Sequence, residues 1–203
     1  MKIHKDEAVT RWTAHPQQSE VSFEMRHLMV SHVKGDFGQF EANVLTNGDD
    51  FSTADINLKI FSKSINTDDS KRDAQLKGPD FLAADAHRQI TFTSTSISGT
   101  GGGKMLLHGD LKIAGITRNV ALDMHMGLAA IDSWGDESAC LIITGKLTRD
   151  DWGLRWTSAM QAAGFLLGDQ LMICCKLELY SIEQHDAKRI PDMVAQSRSI
   201  QAL

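Results

Sequence analysis

Cysteine is scarce in this chain, and what there is does not make a disulfide framework: Cys140, Cys174 and Cys175 form an odd set of three. Adjacent residues on a strand point to opposite faces, so reduced thiols in a reducing compartment are the expectation. Nowhere does the sequence hold the roughly twenty consecutive apolar residues of a membrane span. Met1 to Thr10 carries Lys2, His4, Lys5, Asp6 and Glu7 and lacks the apolar centre of a secretory leader, which predicts a cytoplasmic protein. Clustered positive charge is missing as well. With a net charge of -5 and its lysines and arginines scattered, the chain offers no electrostatic footprint for nucleic acid.

The motifs that would announce catalysis or a metal are absent too. None of the eight histidines stands at the helical i, i+4 spacing or in a Cys-x-x-Cys context. His27 and His32 are five apart, which sends them to opposite faces of a continuing strand. There is no Gly-x-Ser-x-Gly elbow. Ser98 to Lys104 looks like a phosphate loop at a glance, but its spacing is wrong and no helix follows, so it reads as a Gly-rich hairpin. No catalytic residue, metal site or cofactor is assigned, and the chain is read as a non-enzyme.

What the sequence does have is alternation. From Val21 to Leu179 apolar residues recur at every second position, as in Val21, Phe23, Met25, in Ile56, Leu58, Ile60, and in Met105, Leu107, Leu111, Ile113. That is the pattern of strands with one dry face. It predicts an all-β fold with about eight strands: Val21 to His27, Lys34 to Leu45, Thr53 to Phe61, Gln89 to Ile97, Lys104 to Ala114, Thr117 to Leu128, Glu137 to Thr148 and Gln170 to Ile182. Asn47-Gly48-Asp49, Gly99 to Gly103 and Ala114-Gly115-Ile116 suit hairpins, so sequence neighbours should be sheet neighbours and the sheet should close into an antiparallel barrel. The 203 residues fit one such domain, placed at residues 11–182, with a tail at 183–203 whose helix would start at Pro191. Two segments break the rhythm. Residues 69–77 read as a short helix capped by Asp68 or Asp69 and ended by Gly78 and Pro79, covering one barrel mouth. Trp152 to Gly168 is too rich in Gly and Ala for a strand and reads as a loop or flap at an opening.

An eight-stranded barrel is just wide enough to pack solid or to hold one elongated molecule. Parity assigns its lining to Phe23, Met25, Phe40, Leu58, Phe92, Leu107, Leu111, Leu122, Met124, Leu141 and Ile143. His27 shares the inward phase and is either a satisfied core histidine or a contact to a polar head group. Arg72 either ties the helix to the rim or meets an anionic head group, and Arg149, followed by Asp150 and Asp151, presents the same choice. Methionine is frequent on the inward face, where it suits an irregular core and a flexible guest equally.

Several spaced features together carry a resemblance: Trp12 followed by Ser19, Val21 and Phe23; His27 and Leu28, then Val33, Gly35, Phe37 and Phe40; Ser64-Ile65 with Thr67; Arg72-Asp73 with Leu76 and Asp80-Phe81; Ile90, Phe92 and Ser94; Gly109 and Leu111 with Gly115-Ile116-Thr117; Arg149 and Gly153. From about Trp12 to Tyr180 the chain resembles the YceI-like family of bacterial polyisoprenoid-binding, lipocalin-like proteins. It departs from the family pattern at Ala14 and His15, and at Gln18 and Ser19, where relatives carry Ile-Asp and His-Ser. The resemblance implies an extended lipocalin-like barrel, no catalysis, often a homodimer, and relatives that are often exported. It also implies a bound polyisoprenoid, quinone or fatty-acid-like lipid, carried or sequestered inside. Two competing readings are an enzyme acting on a lipid or quinone in the barrel, and a solid-cored protein-interaction module.

Overall fold

The structure, a computed structural model, describes residues 9–27, 31–101, 103–127, 130–131, 137–155 and 167–182. The alternation becomes β1 (Val9–Ala14), β2 (Glu20–His27), β3 (Ser31–Phe37), β4 (Phe40–Asn47), β5 (Asp50–Phe61), β6 (Ile65–Asn66), β7 (Gln89–Gly101), β8 (Lys104–Ile113), β9 (Ile116–Met126), β10 (Ala130–Ile131), β11 (Glu137–Thr148) and β12 (Leu167–Ser181). One helix, α1 (Ser70–Lys77), interrupts them. Every pairing is antiparallel, and β12 closes the sheet by pairing with β11 on one side and with β1 and β2 on the other.

The twelve strand segments make an eight-staved barrel because four staves are broken: β6 continues β5, β10 continues β9, and two further breaks lie near the start of the chain. β1 and β2 occupy one position along β12, with Trp12 to Ala14 facing Leu179 to Ser181 and Glu20 to His27 facing the other end of the same strand. β3 and β4 likewise form one stave, β3 pairing with β2 and β4 with β1. The first break falls at Pro16, which has no N–H for a ladder. There the His15 N–H still donates to the Glu178 carbonyl at 2.8 Å. The second falls at Gly38, whose N–H donates to the Ser64 carbonyl at 3.1 Å. The alternation therefore gives the staves but not their interruptions. β1 lies upstream of the first strand expected, Lys34 to Leu45 is not continuous, and β12 begins three residues before Gln170.

Turn chemistry accounts for the connections. Ile113 pairs with Ile116 across Ala114 and Gly115, whose φ values of 46° and 83° are the left-handed pair a two-residue hairpin requires. α1 is capped by Asp69, whose carboxylate accepts from the Lys71 and Arg72 amides. Its one buried residue is Leu76, so packing alone holds it weakly. A polar staple does the rest. Thr67, 4% exposed, donates its N–H and hydroxyl to Asp73 Oδ1 at 3.0 and 2.6 Å. The same threonine accepts from Arg72 Nε at 2.8 Å and, through its carbonyl, from Arg72 Nη2 at 2.6 Å.

Residues 149–152 form a 3₁₀ turn that ends where the expected loop or flap begins, with Trp152 3% exposed and its Nε1 donating to the Leu111 carbonyl at 3.1 Å. The rest of the expected flap, residues 156–166, and the tail with its expected helix at Pro191 lie outside the described residues. Among the described residues, no helix is long and apolar enough to cross a membrane.

Candidate ligand-binding site

Inward positions on the staves are mostly buried, with Phe23, Met105, Leu171 and Ile173 among those only partly so, and they do not fill the barrel evenly. At one end Trp12, Val44, Leu107, Met124, Leu141 and Leu179 pack with at most 6% exposure, and the Trp12 Nε1 proton goes to Thr46 Oγ1 at 2.8 Å. That end is solid. Toward the other end the side chains part around a cavity of about 110 Å³ to which no polar atom is exposed. Its wall comes from β2, β3, β5, β6, β7, β8, β9, β11 and β12, and Leu76, Phe81 and Leu82 from α1 and the segment after it cover part of it.

Two glycines make room for the rings on this wall. Gly35 faces Phe23 across the ladder, and a Cβ there would stand 2.4 Å from the Phe23 ring. A Cβ on Gly109 would stand 2.3 Å from the Phe92 ring and 2.6 Å from the Thr93 carbonyl. The rings therefore lie along the sheet over bare backbone rather than across the hollow. Phe23 also packs on Phe37, with ring centroids 5.7 Å apart.

The residues singled out by parity divide between hollow and packed ends. Phe23, Met25, Leu58, Phe92, Leu111, Leu122 and Ile143 stand on the cavity wall. Leu107, Met124 and Leu141 do not; each is 0% exposed and belongs to the packed end. Phe40 is half-buried against the core beside Ile60, off the wall. Arg72 is also off the wall, with its guanidinium turned to Thr67 and Asp69, so it ties α1 down. The backbone of His27 continues the inward phase of β2, but its side chain lies outside the described atoms.

Arg149, weighed in the sequence between a structural tie and a head-group contact and not counted among the lining residues, borders the hollow. Its side chain is 11% exposed and borders the cavity with carbon alone, while Nη1 donates to the Leu154 carbonyl at 2.6 Å and to Asp150 Oδ1 at 3.0 Å. Nη2 pairs with Asp169 across the β11–β12 ladder. Leu154 is thereby drawn back onto the wall. A cation immediately after an alternating strand was the available signal, and its acidic neighbours masked it. Leu76, Phe81 and Leu82 were missed for a different reason: they come from α1 and the irregular segment after it, where strand parity says nothing.

Cys175 lines the cavity, and burial pushes its thiol up to about 12. Burial and then the neighbouring Glu178 raise Cys140, and desolvation and then Glu20 raise Cys174. None is an activated nucleophile. Among the described residues, no group of three or more His, Cys, Asp or Glu is placed to hold a metal. A second hollow, about 430 Å³, lies over Ser22, Asp36, Asn66, Thr144 and Cys174; polar and apolar groups share its wall, and it is open to water.

Eight antiparallel staves closed around an apolar hollow define the class: a small lipocalin-like barrel. The chain belongs to the YceI-like family, whose domain matches residues 12–179. It is 35% identical over 161 residues to a UPF0312 protein of Staphylococcus aureus strain MSSA476, covering 79% of this chain and 91% of that one. Among solved structures it is similar to the Campylobacter jejuni YceI protein, at 27% identity and a TM-score of 0.63, over 76% of this chain and 88% of that one. A polyisoprenoid-binding domain from Saccharophagus degradans shares the fold with a TM-score of 0.61 at 12% identity, over 84% of this chain and 97% of that one.

Proposed function

We propose that this protein binds the apolar tail of a small lipid inside its barrel and carries or sequesters it, without chemical change to the guest. The observation that carries the reading is the cavity itself, enclosed by side chains and without one polar atom exposed to it. Each methylene moved from water onto such a wall contributes about 0.8 kcal/mol, so affinity needs no ion pair or catalytic group. A polar head carried inside without a hydrogen bond would cost roughly 2–7 kcal/mol, so the head stays at the mouth. A polyisoprenoid, quinone or fatty-acid-like tail meets these terms. The description of the S. degradans domain as polyisoprenoid-binding supports the same class of guest.

Protein purified without detergent should release an apolar amphiphile into organic solvent, detectable by mass spectrometry in a stoichiometric amount. Lipid-free protein that also fails to take up any alkyl chain would refute the reading.

A further inference from the structure

Part of the hollow is covered by something other than sheet. Asp36 and Phe37 of β3 pair with Asn66 and Ile65, and among the described residues no strand continues that ladder along Ser31 to Gly35. β5 ends at Phe61, which faces Gln89 of β7. Between β6 and β7 the chain runs without a strand, and Leu76, Phe81 and Leu82 of this segment reach the hollow.

The segment is folded on itself and fixed to the barrel at its two ends. The Leu82 N–H donates to the Leu76 carbonyl at 3.1 Å, Ala83 to Gly78 at 2.8 Å and Ala84 to Lys77 at 3.0 Å, so α1 and the turn after it form one piece. At the first end stands Thr67, the buried centre of the polar staple. At the second, Ser62, 1% exposed, donates its hydroxyl to the His87 carbonyl at 2.8 Å and its N–H to the Arg88 carbonyl at 2.9 Å. Just inside the first anchor is Asp68, a non-glycine residue at a left-handed φ of 59°. Just inside the second is the turn from Ala83 to His87, entered at a φ of 46° on Ala83. Lids turn on a few such residues at the ends of elements, which absorb the change in backbone angles.

The underside of the piece is apolar, with Leu76, Phe81, Leu82 and Ala84 at most 9% exposed. Where the first three face the hollow they have no atoms opposite, so they lack the dispersion contacts that hold a close-packed wall. The Lys63–Asp85 ion pair is exposed at both partners and holds the piece weakly. Closure therefore leans on the staple, in which Arg72 and Asp73 ride on the moving piece and Thr67 stands on the frame.

We infer that residues 69–84 are the door of the barrel: the piece swings outward about its two ends to admit the guest, and the Thr67–Asp73–Arg72 staple is the latch that sets how often it opens. This inference rests on the apolar-guest reading and adds the route by which the guest enters. A latch made in the empty and the filled protein alike raises the barrier to entry and to exit together, so it controls exchange rates more than affinity.

The test is stopped-flow fluorescence of the full chain with cis-parinaric acid, an alkyl tail whose conjugated double bonds brighten in apolar surroundings. In Asp73→Ala, association and dissociation should both speed up by on the order of tenfold, while Kd stays within about twofold. Thr67→Val removes the hydroxyl on the frame, keeps the side-chain shape, and serves as the second variant should Asp73→Ala fail to fold. Glu41→Ala, which breaks an exposed ion pair with Lys59 between β4 and β5, should leave both rates as they are. Faster dissociation with unchanged association would make the staple a support of the wall and overturn the door. Rates that neither staple variant moves, or that Glu41→Ala moves as much, would overturn it too. A wild-type chain that binds neither parinaric acid nor any other alkyl chain would overturn the proposed function, and the door with it.

Discussion

Cys174 and Cys175 are chain neighbours, and the pleat puts one outside the barrel and the other against the cavity. Thiol chemistry follows the thiolate, so the difference is measurable. At pH 8 native protein should show one slowly accessible thiol, Cys174, to a disulfide-exchange reagent, and all three only after unfolding. The Cys175 thiol, raised from 9.0 to about 12, also sets a sign for the pH dependence of stability. Its neutral form is favoured by folding, so the contribution is complete below pH 9 and is lost as pH rises toward 12. Denaturation midpoints in urea should fall over that alkaline range and recover part of the loss in Cys175→Ala.

A second residue-scale prediction concerns the staple under α1. Asp73→Ala leaves the Thr67 amide and hydroxyl without their carboxylate acceptor in a buried setting, at a cost of about 1–3 kcal/mol in urea unfolding. Arg72 and Asp73 were noticed in the sequence as charged neighbours on a short helix. Their common partner, Thr67, could not be seen there, because it depends on how α1 folds back on β6.

At the scale of elements, alternation told which side of each strand is dry, and Phe23, Met25, Leu58, Phe92, Leu111, Leu122 and Ile143 do reach the hollow. It could not separate them from Leu107, Met124 and Leu141, which have the same chemistry and the same parity. What differs is height along the barrel, set by the stagger between staves and by Trp12 and Val44 arriving from β1 and β4 to fill that level. The breaks at Pro16 and Gly38 were obscured for a related reason, since apolar parity resumes after each one. Glycine on a strand is the element-scale test. Gly109→Ala places a methyl group 2.3 Å from the Phe92 ring and must push that ring off the sheet toward the cavity. The expected cost is about 1–3 kcal/mol of stability. Alkanol affinity should fall with it, whereas Gly99→Ala, with nothing near its Cβ, should leave affinity unchanged.

For the whole molecule, closure is what turns an alternating sequence into an interior. β12 is fifteen residues long, and its register with β11 runs unbroken from Thr148–Gln170 to Ser138–Tyr180. On its other edge β1 and β2 share its length, so no part of the seam depends on one short strand. Inside the frame, Gly35, Gly109 and Gly145 leave room for Phe23, Phe92 and Leu122, which stand on the wall of the hollow, and Leu76, Phe81 and Leu82 cover part of it. The second hollow, by contrast, is open to water and has polar groups as well as apolar ones in its wall.

The most direct test of this account is methyl NMR of the full chain, with isoleucine, leucine and methionine methyls labelled, during titration with octanol. Saturable shifts should be confined to wall methyls such as Ile60, Ile113, Leu122, Ile143 and Ile173, while the exposed Leu45 stays still. Shifts spread over the outer surface, or no shift at the wall at saturating octanol, would contradict the claim that the barrel interior holds an apolar guest.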